Sequence, residues 1–321
     1  MRSSRLGIIA LLIVSVAFTT SCGYYNRVMS RKNLVDGSVA YKGRKFDDAE
    51  QLFRKAAERD PNGETLEGRT AQLFLARTLH SQYIGDRKRT DLAESAINEY
   101  QKTLKVDPNE QSAYKAVAGL YDNLQKSDDW LKWVTERANN EQILPQNRAE
   151  AITSLAAKQN TCANEVSDTD KTKKPIKRDG KDVFQYVKPE NPQDLERMRA
   201  CVTQGNELIN RAYQLETEDV KNIKNVVPKT LTDAQLTEKL AMVKVFESAR
   251  SYRASLLVQA SRLAEMDGNQ EQADKLRNEA EAARNQFSEL SDASKALQDE
   301  IDARIAALQQ AANANANAEA K

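Results

Sequence analysis

Few residues in this chain could do covalent or acid–base chemistry. Its 321 residues include three cysteines, Cys22, Cys162 and Cys201, and one histidine, His80. A single imidazole cannot build a histidine metal cluster, and no second one stands ready as base for a serine or cysteine nucleophile elsewhere. The eleven glycines are scattered and form no phosphate-cradling loop. Carboxylates are plentiful, but they lie in mixed-charge sequence where a solvated helix face explains them. The expectation is therefore no enzyme, no metal, no cofactor and no small-molecule substrate. What remains is thiol chemistry: acylation, disulfide formation, or, more weakly for two lone cysteines, metal binding.

The N-terminus decides which of these the compartment allows. Arg2 and Arg5 precede an apolar run from Leu6 to Phe18, then Thr19, Thr20, Ser21 and Cys22. A charged start, a short apolar core and small residues form an export signal, and the run falls short of the roughly 20 residues a spanning helix needs. The cysteine after small residues resembles a bacterial lipobox, which implies a signal peptide over residues 1–21 and lipidation of Cys22. Ordinary cleavage near Ser21, leaving Cys22 a thiol, is the alternative. Gly23 rather than Asp follows the cysteine, and by resemblance to lipoproteins of diderm bacteria this implies the outer membrane, facing the periplasm. In such an oxidising place Cys162 and Cys201 read as a disulfide, with two free buried thiols as the alternative. Removing Arg2 and Arg5 from the 48 basic residues leaves 46 against 47 acidic ones, so no global field draws the chain to nucleic acid.

The elements that carry these residues are helical. Charged residues make up 30% of the chain and aromatics 6%, with Ala, Leu, Glu, Lys, Arg and Gln recurring throughout, a composition that favours helix over strand. The frame Ala49, Phe53, Ala56, Pro61 returns as Ala96, Tyr100, Thr103, Pro108, and both copies close with Asp-Pro-Asn. This is an internal repeat, in which small residues around an aromatic give one close-packing face and the proline ends the helix. The unit resembles a tetratricopeptide repeat (TPR), a helix hairpin that stacks into an α-solenoid and binds other proteins. The resemblance implies an all-α solenoid of about five hairpins over residues 33–286, with Leu34, Gly37, Ala40 and Tyr41 on the first opening helix. A short tether over residues 22–32 would hold it near the lipid.

Three stretches depart from the repeat. An insertion sits around Ile84 to Thr90. In the third unit, Trp133 and Arg137 replace the usual small and aromatic residues, and Trp130 and Trp133 read as packing groups on one helical face. The fourth unit is split over residues 165–194, where Asp179-Gly180 between apolar-containing arms signals a β-hairpin. A fifth unit from Ala254 to Gln286 places Gly268, Ala273 and Ala280 on the frame and Arg277 at its aromatic position. Thr232-Asp233 reads as a helix cap. Phe287, Leu290, Leu297, Ile301 and Leu308 then lie on a heptad frame over residues 287–310, read as a capping helix or, alternatively, a dimerising coiled coil. Residues 311–321, an Ala-Asn alternation, read as a disordered tail.

By TPR position the concave face would include Arg77, His80, Lys115 and Asp122, the expected partner-binding residues; the bland alternative is that all four are merely solvated. The family's chaperone-binding carboxylate clamp is not carried over, because Leu34, Ser38 and Gly119 occupy positions where it needs Lys or Asn. The chain thus reads as an envelope scaffold for a membrane or envelope protein. The alternatives are a glycan-binding or enzymatic protein using the insertion, and a structural protein assembling through its C-terminal helix.

Overall fold

The computed structural model describes residues 3–178 and 180–319, and the side chains of residues 23–177 and 180–314. The chain divides into two compact units, Met1–Trp130 and Leu131–Lys321.

In the first unit, α1 (Ser3–Lys42) and α2 (Phe46–Ala57) form a hairpin, α3 (Leu66–Gly85) and α4 (Thr90–Val106) a second, and α5 (Gln111–Asn123) follows. The repeat frame is the core. Ala49, Phe53 and Ala56 are wholly buried on α2, and Ala96, Tyr100 and Thr103 are buried on α4. Gly37 is required by close approach: a Cβ there would lie 2.7 Å from the Phe53 ring, so any side chain would push α1 off α2. The first Asp-Pro-Asn turn is tied by Asp60, which accepts from the backbone of Glu64 and Thr65 and from the Thr65 hydroxyl. Thr65 in turn caps α3 by accepting from the Gly68 N–H at 3.0 Å. In the second turn Asp107 accepts from the Asn109 N–H, and Glu110 caps α5 through the Ser112 N–H.

The second unit takes in most of α6 (Ser127–Asn139), followed by α7 (Pro145–Ser167), strands β1 (Lys173–Arg178) and β2 (Lys181–Tyr186), and α8 (Pro192–Gln214). A short α9 (Glu218–Lys221) and two single 3-10 turns lead to α10 (Asp233–Met266) and α11 (Gln270–Glu319). Here α7 pairs with α8, α10 pairs with α11, and α10 packs across the first pair. The strands are antiparallel with Arg178 opposite Lys181, the two-residue turn expected of Asp-Gly. Gly180 has φ +76°, and Asp179 lies outside the described residues. Thr232 caps α10 in a reciprocal box with Gln235. Gly268, at φ +82°, turns the chain from α10 into α11, with its N–H on the Glu265 carbonyl and the next N–H on that of Ala264.

The fold is therefore all-α, built of TPR-like helical hairpins with one small β-hairpin. Three expectations differ from what is observed. Residues 23–32, read as a tether, are helical within α1, and buried Ser30 donates to the Ala56 carbonyl at 3.0 Å; the opening helix simply starts earlier than its repeat frame does. Residues 287–310 are not a separate capping helix but the continuation of α11, because α10 also extends beyond its repeat frame, to Asp233. Leu290 and Leu297 are buried, and the Arg250 guanidinium reaches the Gln286 carbonyl while Arg304 reaches Asp233. The stripe is thus met inside the chain at Leu290 and Leu297, while Leu308 at its far end stays exposed. The Ala-Asn stretch expected to be disordered continues as helix to Glu319, as alanine permits once a long packed helix has supplied the costly nucleus.

Candidate partner-binding surface

On α3, Phe74, Arg77, His80 and Ser81 share one face, half-buried, because steps of three, four and seven residues return to the same side of a helix. Their neighbours come from the other opening helices. Tyr41 of α1 meets Phe74 edge-on at 6.2 Å between ring centres, and its hydroxyl lies 2.9 Å from the Ser81 Oγ. The Arg77 guanidinium stacks 5.2 Å over the Phe74 ring and donates to the Ser112 Oγ of α5 at 2.9 Å. One arginine therefore bridges successive repeats while remaining partly open to solvent, a preorganised donor fork of the kind that receives carboxylates.

His80 is placed differently from a solvated histidine. Its Nδ1 lies 3.4 Å from the Tyr100 hydroxyl, and the two rings meet edge-on at 6.0 Å. Burial, helped by the positive charge of Arg87, pushes its pKa below the ordinary histidine value, so the ring is neutral at pH 7. Burial likewise pushes the Tyr100 phenol up, keeping it protonated. Lys115 and Asp122 sit exposed on α5, seven residues apart and so on one side of it. The four expected residues thus fall on two opening helices: Arg77 and His80 half-buried in a polar and aromatic row on α3, Lys115 and Asp122 exposed on α5. Sequence reading missed Tyr41, Phe74 and Ser112 as members of that row, although Phe74 stands one turn before Arg77.

In the second unit Cys162 of α7 and Cys201 of α8 are joined by a disulfide, with Cα atoms 6.1 Å apart. The bridge lies among Ala163, Val166, Met198, Val202, Leu263 and Met266, and it ties the two helices interrupted by the β-hairpin. The hairpin's Tyr186 lies under the Arg262 guanidinium at 4.6 Å, and Lys173 stacks over the exposed Phe184 at 4.5 Å. The side chain of Cys22 lies outside the described residues. Among the described residues no group of three or more His, Cys, Asp or Glu could hold a metal ion.

The geometry defines a class: a TPR-like helical-repeat protein with a polar and aromatic row across successive opening helices. No family model matches the chain, and no curated protein matches it in sequence. Among solved structures it is similar to one described as a functional characterisation of Pseudomonas aeruginosa pilF, at 15% identity over 78% of this chain and 90% of that one, with a TM-score of 0.32. It is also similar to a tetratricopeptide repeat protein from Parabacteroides merdae, at 12% identity over 83% and 99% of the two chains, with a TM-score of 0.29. At those scores neither likeness adds a function to the fold.

Proposed function

We propose that this chain is a lipid-anchored scaffold of the bacterial cell envelope that recruits another envelope or membrane protein, in outer-membrane or secretion and pilus assembly. The observation that carries the reading is the row from Tyr41 through Phe74 and Arg77 to Ser112, which three successive opening helices build together. Helical repeats bind extended peptides or folded proteins along such a face. The export signal and Cys22 support the envelope, and the disulfide between Cys162 and Cys201 fits an oxidising compartment.

The glycan reading has one observation in its favour, the exposed ring of Phe184, but Lys173 and Arg262 already cover one face each of Phe184 and Tyr186. Self-assembly through the C-terminal helix is weakened because Leu290 and Leu297 are buried within the chain. The test is crosslinking in cells followed by affinity capture. A defined envelope protein should be recovered, and Arg77→Glu with Lys115→Glu should lose it while helicity is kept. Glycan retained by the purified protein, with no reproducible protein partner, overturns the scaffold.

A further inference from the structure

The outer face of α1 is not that of an ordinary end helix. Terminal repeats of helical arrays need a polar outer face to stay soluble. Yet Tyr24, Val28, Val35 and Val39 are all exposed, Tyr24 at 74% and Val39 at 67%. At 3.6 residues per turn they fall within about 60° of one another, opposite the side on which Ser30, Leu34 and Gly37 meet α2. The stripe runs from the residue two places after Cys22 almost to the end of the helix, with Arg31 and Lys32 flanking it between Val28 and Val35.

Charge and position say what covers it. From Gly23 to Lys42 the helix carries Arg27, Arg31, Lys32 and Lys42 against one acid, Asp36. Arg27 is held by Glu67 at 3.2 Å, while Arg31, Lys32 and Lys42 border the stripe. A second copy docked face to face would bring these like charges together. An anionic lipid surface, by contrast, accepts valine and tyrosine between its headgroups and attracts the cations. On the envelope reading, the lipid on Cys22, two residues before Tyr24, brings this end of the helix to a bilayer. We propose that α1 lies along an anionic lipid surface through Tyr24, Val28, Val35 and Val39, so that the membrane is the polar cap this end of the repeat array lacks. The choice of a membrane as occupant rests on the envelope reading above; the face itself does not.

The experiment uses the full chain, purified in detergent and reconstituted into vesicles with or without phosphatidylglycerol, carrying a fluorescent label at Val28→Cys, Val35→Cys or Val39→Cys, with Asn98→Cys on α4 as control. Quenching by nitroxide-bearing lipids should be severalfold stronger at all three α1 positions than at position 98. At position 39 it should fall when phosphatidylglycerol is omitted, and Lys32→Gln or Lys42→Gln should each shift docking about fivefold. Positions 28 and 39 are about 16 Å apart along the helix, so quenching at 28 alone means an upright helix and overturns the proposal. Label-to-label proximity between copies, without lipid quenching, overturns it in favour of a dimer. Equal quenching at position 39 with and without anionic lipid removes its electrostatic basis. Mass spectrometry of the same sample separates the two readings: quenching without acyl on Cys22 sinks the lipid anchor and keeps this face, and acylation without quenching at 35 and 39 does the reverse.

Discussion

The α1–α4 hairpins and the α7–α11 helices meet the same demand, holding antiparallel helices together, with different chemistry. In the first unit the contact between α1 and α2 is chiefly steric: Phe53 against the gap left by Gly37, with Ala49, Ala56 and Ala71 wholly buried around it. In the second, charge and sulfur do part of the holding. Arg250 donates to Glu216 at 2.9 Å with side chains 9% and 2% exposed. Arg277 pairs with buried Glu265. Ser167, Gln259, Asn164 and Arg262 form a closed hydrogen-bonded group between α7 and α10. Steric contacts between small and aromatic residues tolerate no extra atoms. Paired charges tolerate no missing partner, but they tolerate joint replacement by apolar groups.

The largest expected effects test that difference directly. Phe53→Ala and Arg250→Met should each destabilise by about 3–5 kcal/mol, the first by leaving a cavity and the second by stranding Glu216. The cures differ. Adding Glu216→Leu to Arg250→Met should restore most of the loss, whereas nothing short of a bulky residue at position 53 restores the first unit. Urea unfolding with hydrogen exchange over α2 and over α10 assigns each loss to its unit. If the double variant is no better than Arg250→Met alone, the pair is not the simple charge clamp described here.

Next in size is the disulfide. Its loop spans a sequence separation of 39, which on chain-entropy grounds corresponds to about 4 kcal/mol. Cys162→Ala with Cys201→Ala should lose about 2–4 kcal/mol, seen as earlier urea unfolding and faster exchange in α7 and α8, with α2 and α3 unchanged. Peptide mapping of exported protein without reductant should find the two cysteines joined; recovery of both as free thiols under oxidising conditions removes the bridge.

The contrast also explains what could be read from the sequence. Steric frames are local, so Ala49, Phe53 and Ala56, and then Ala96, Tyr100 and Thr103, announced the first two closing helices from spacing alone. The β-hairpin was equally local, set by one Asp-Gly pair and its flanking arms. Arg277 looked like a break in the repeat because its partner, Glu265, belongs to the preceding helix. Arg250 gave no signal at all, since Glu216 lies 34 residues earlier. Residues 287–310 carried an apolar stripe whose Leu290 and Leu297 are indeed buried, but that it packs back along α10 became visible only when the two helices were folded together. In the candidate site Arg77 and His80 were chosen by repeat position, while Tyr41 and Ser112, which hold the row in place, become visible only when three opening helices are brought together.

A smaller effect separates local capping from these long-range ties. Thr232→Ala removes the oxygen that accepts from the Gln235 N–H and should cost about 1 kcal/mol. Its signature is faster exchange confined to the first turn of α10. A loss spread through α10 and α11 would show that the Asp233 end, where Arg304 also docks, nucleates the whole pair.

The smallest effect falls on the steric unit and concerns pH. His80 is half-buried beside Tyr100, and burial together with Arg87 holds its folded pKa below the ordinary value of 6.5. Between those two values the unfolded chain binds the proton and the folded chain does not. Stability from this group is therefore full above about pH 6.5, falls as the pH drops toward the folded pKa, and levels off below it. His80→Gln keeps a polar side chain but cannot titrate. Urea midpoints measured from pH 7.5 down to 5 should fall more steeply for the native chain than for the variant, with the difference confined to exchange in α3 and α4. The opposite sign, a native chain gaining stability relative to the variant on acidification, would mean that the imidazolium is stabilised in the fold, and with it that the row on α3 presents a positive charge beside Arg77 rather than a neutral ring.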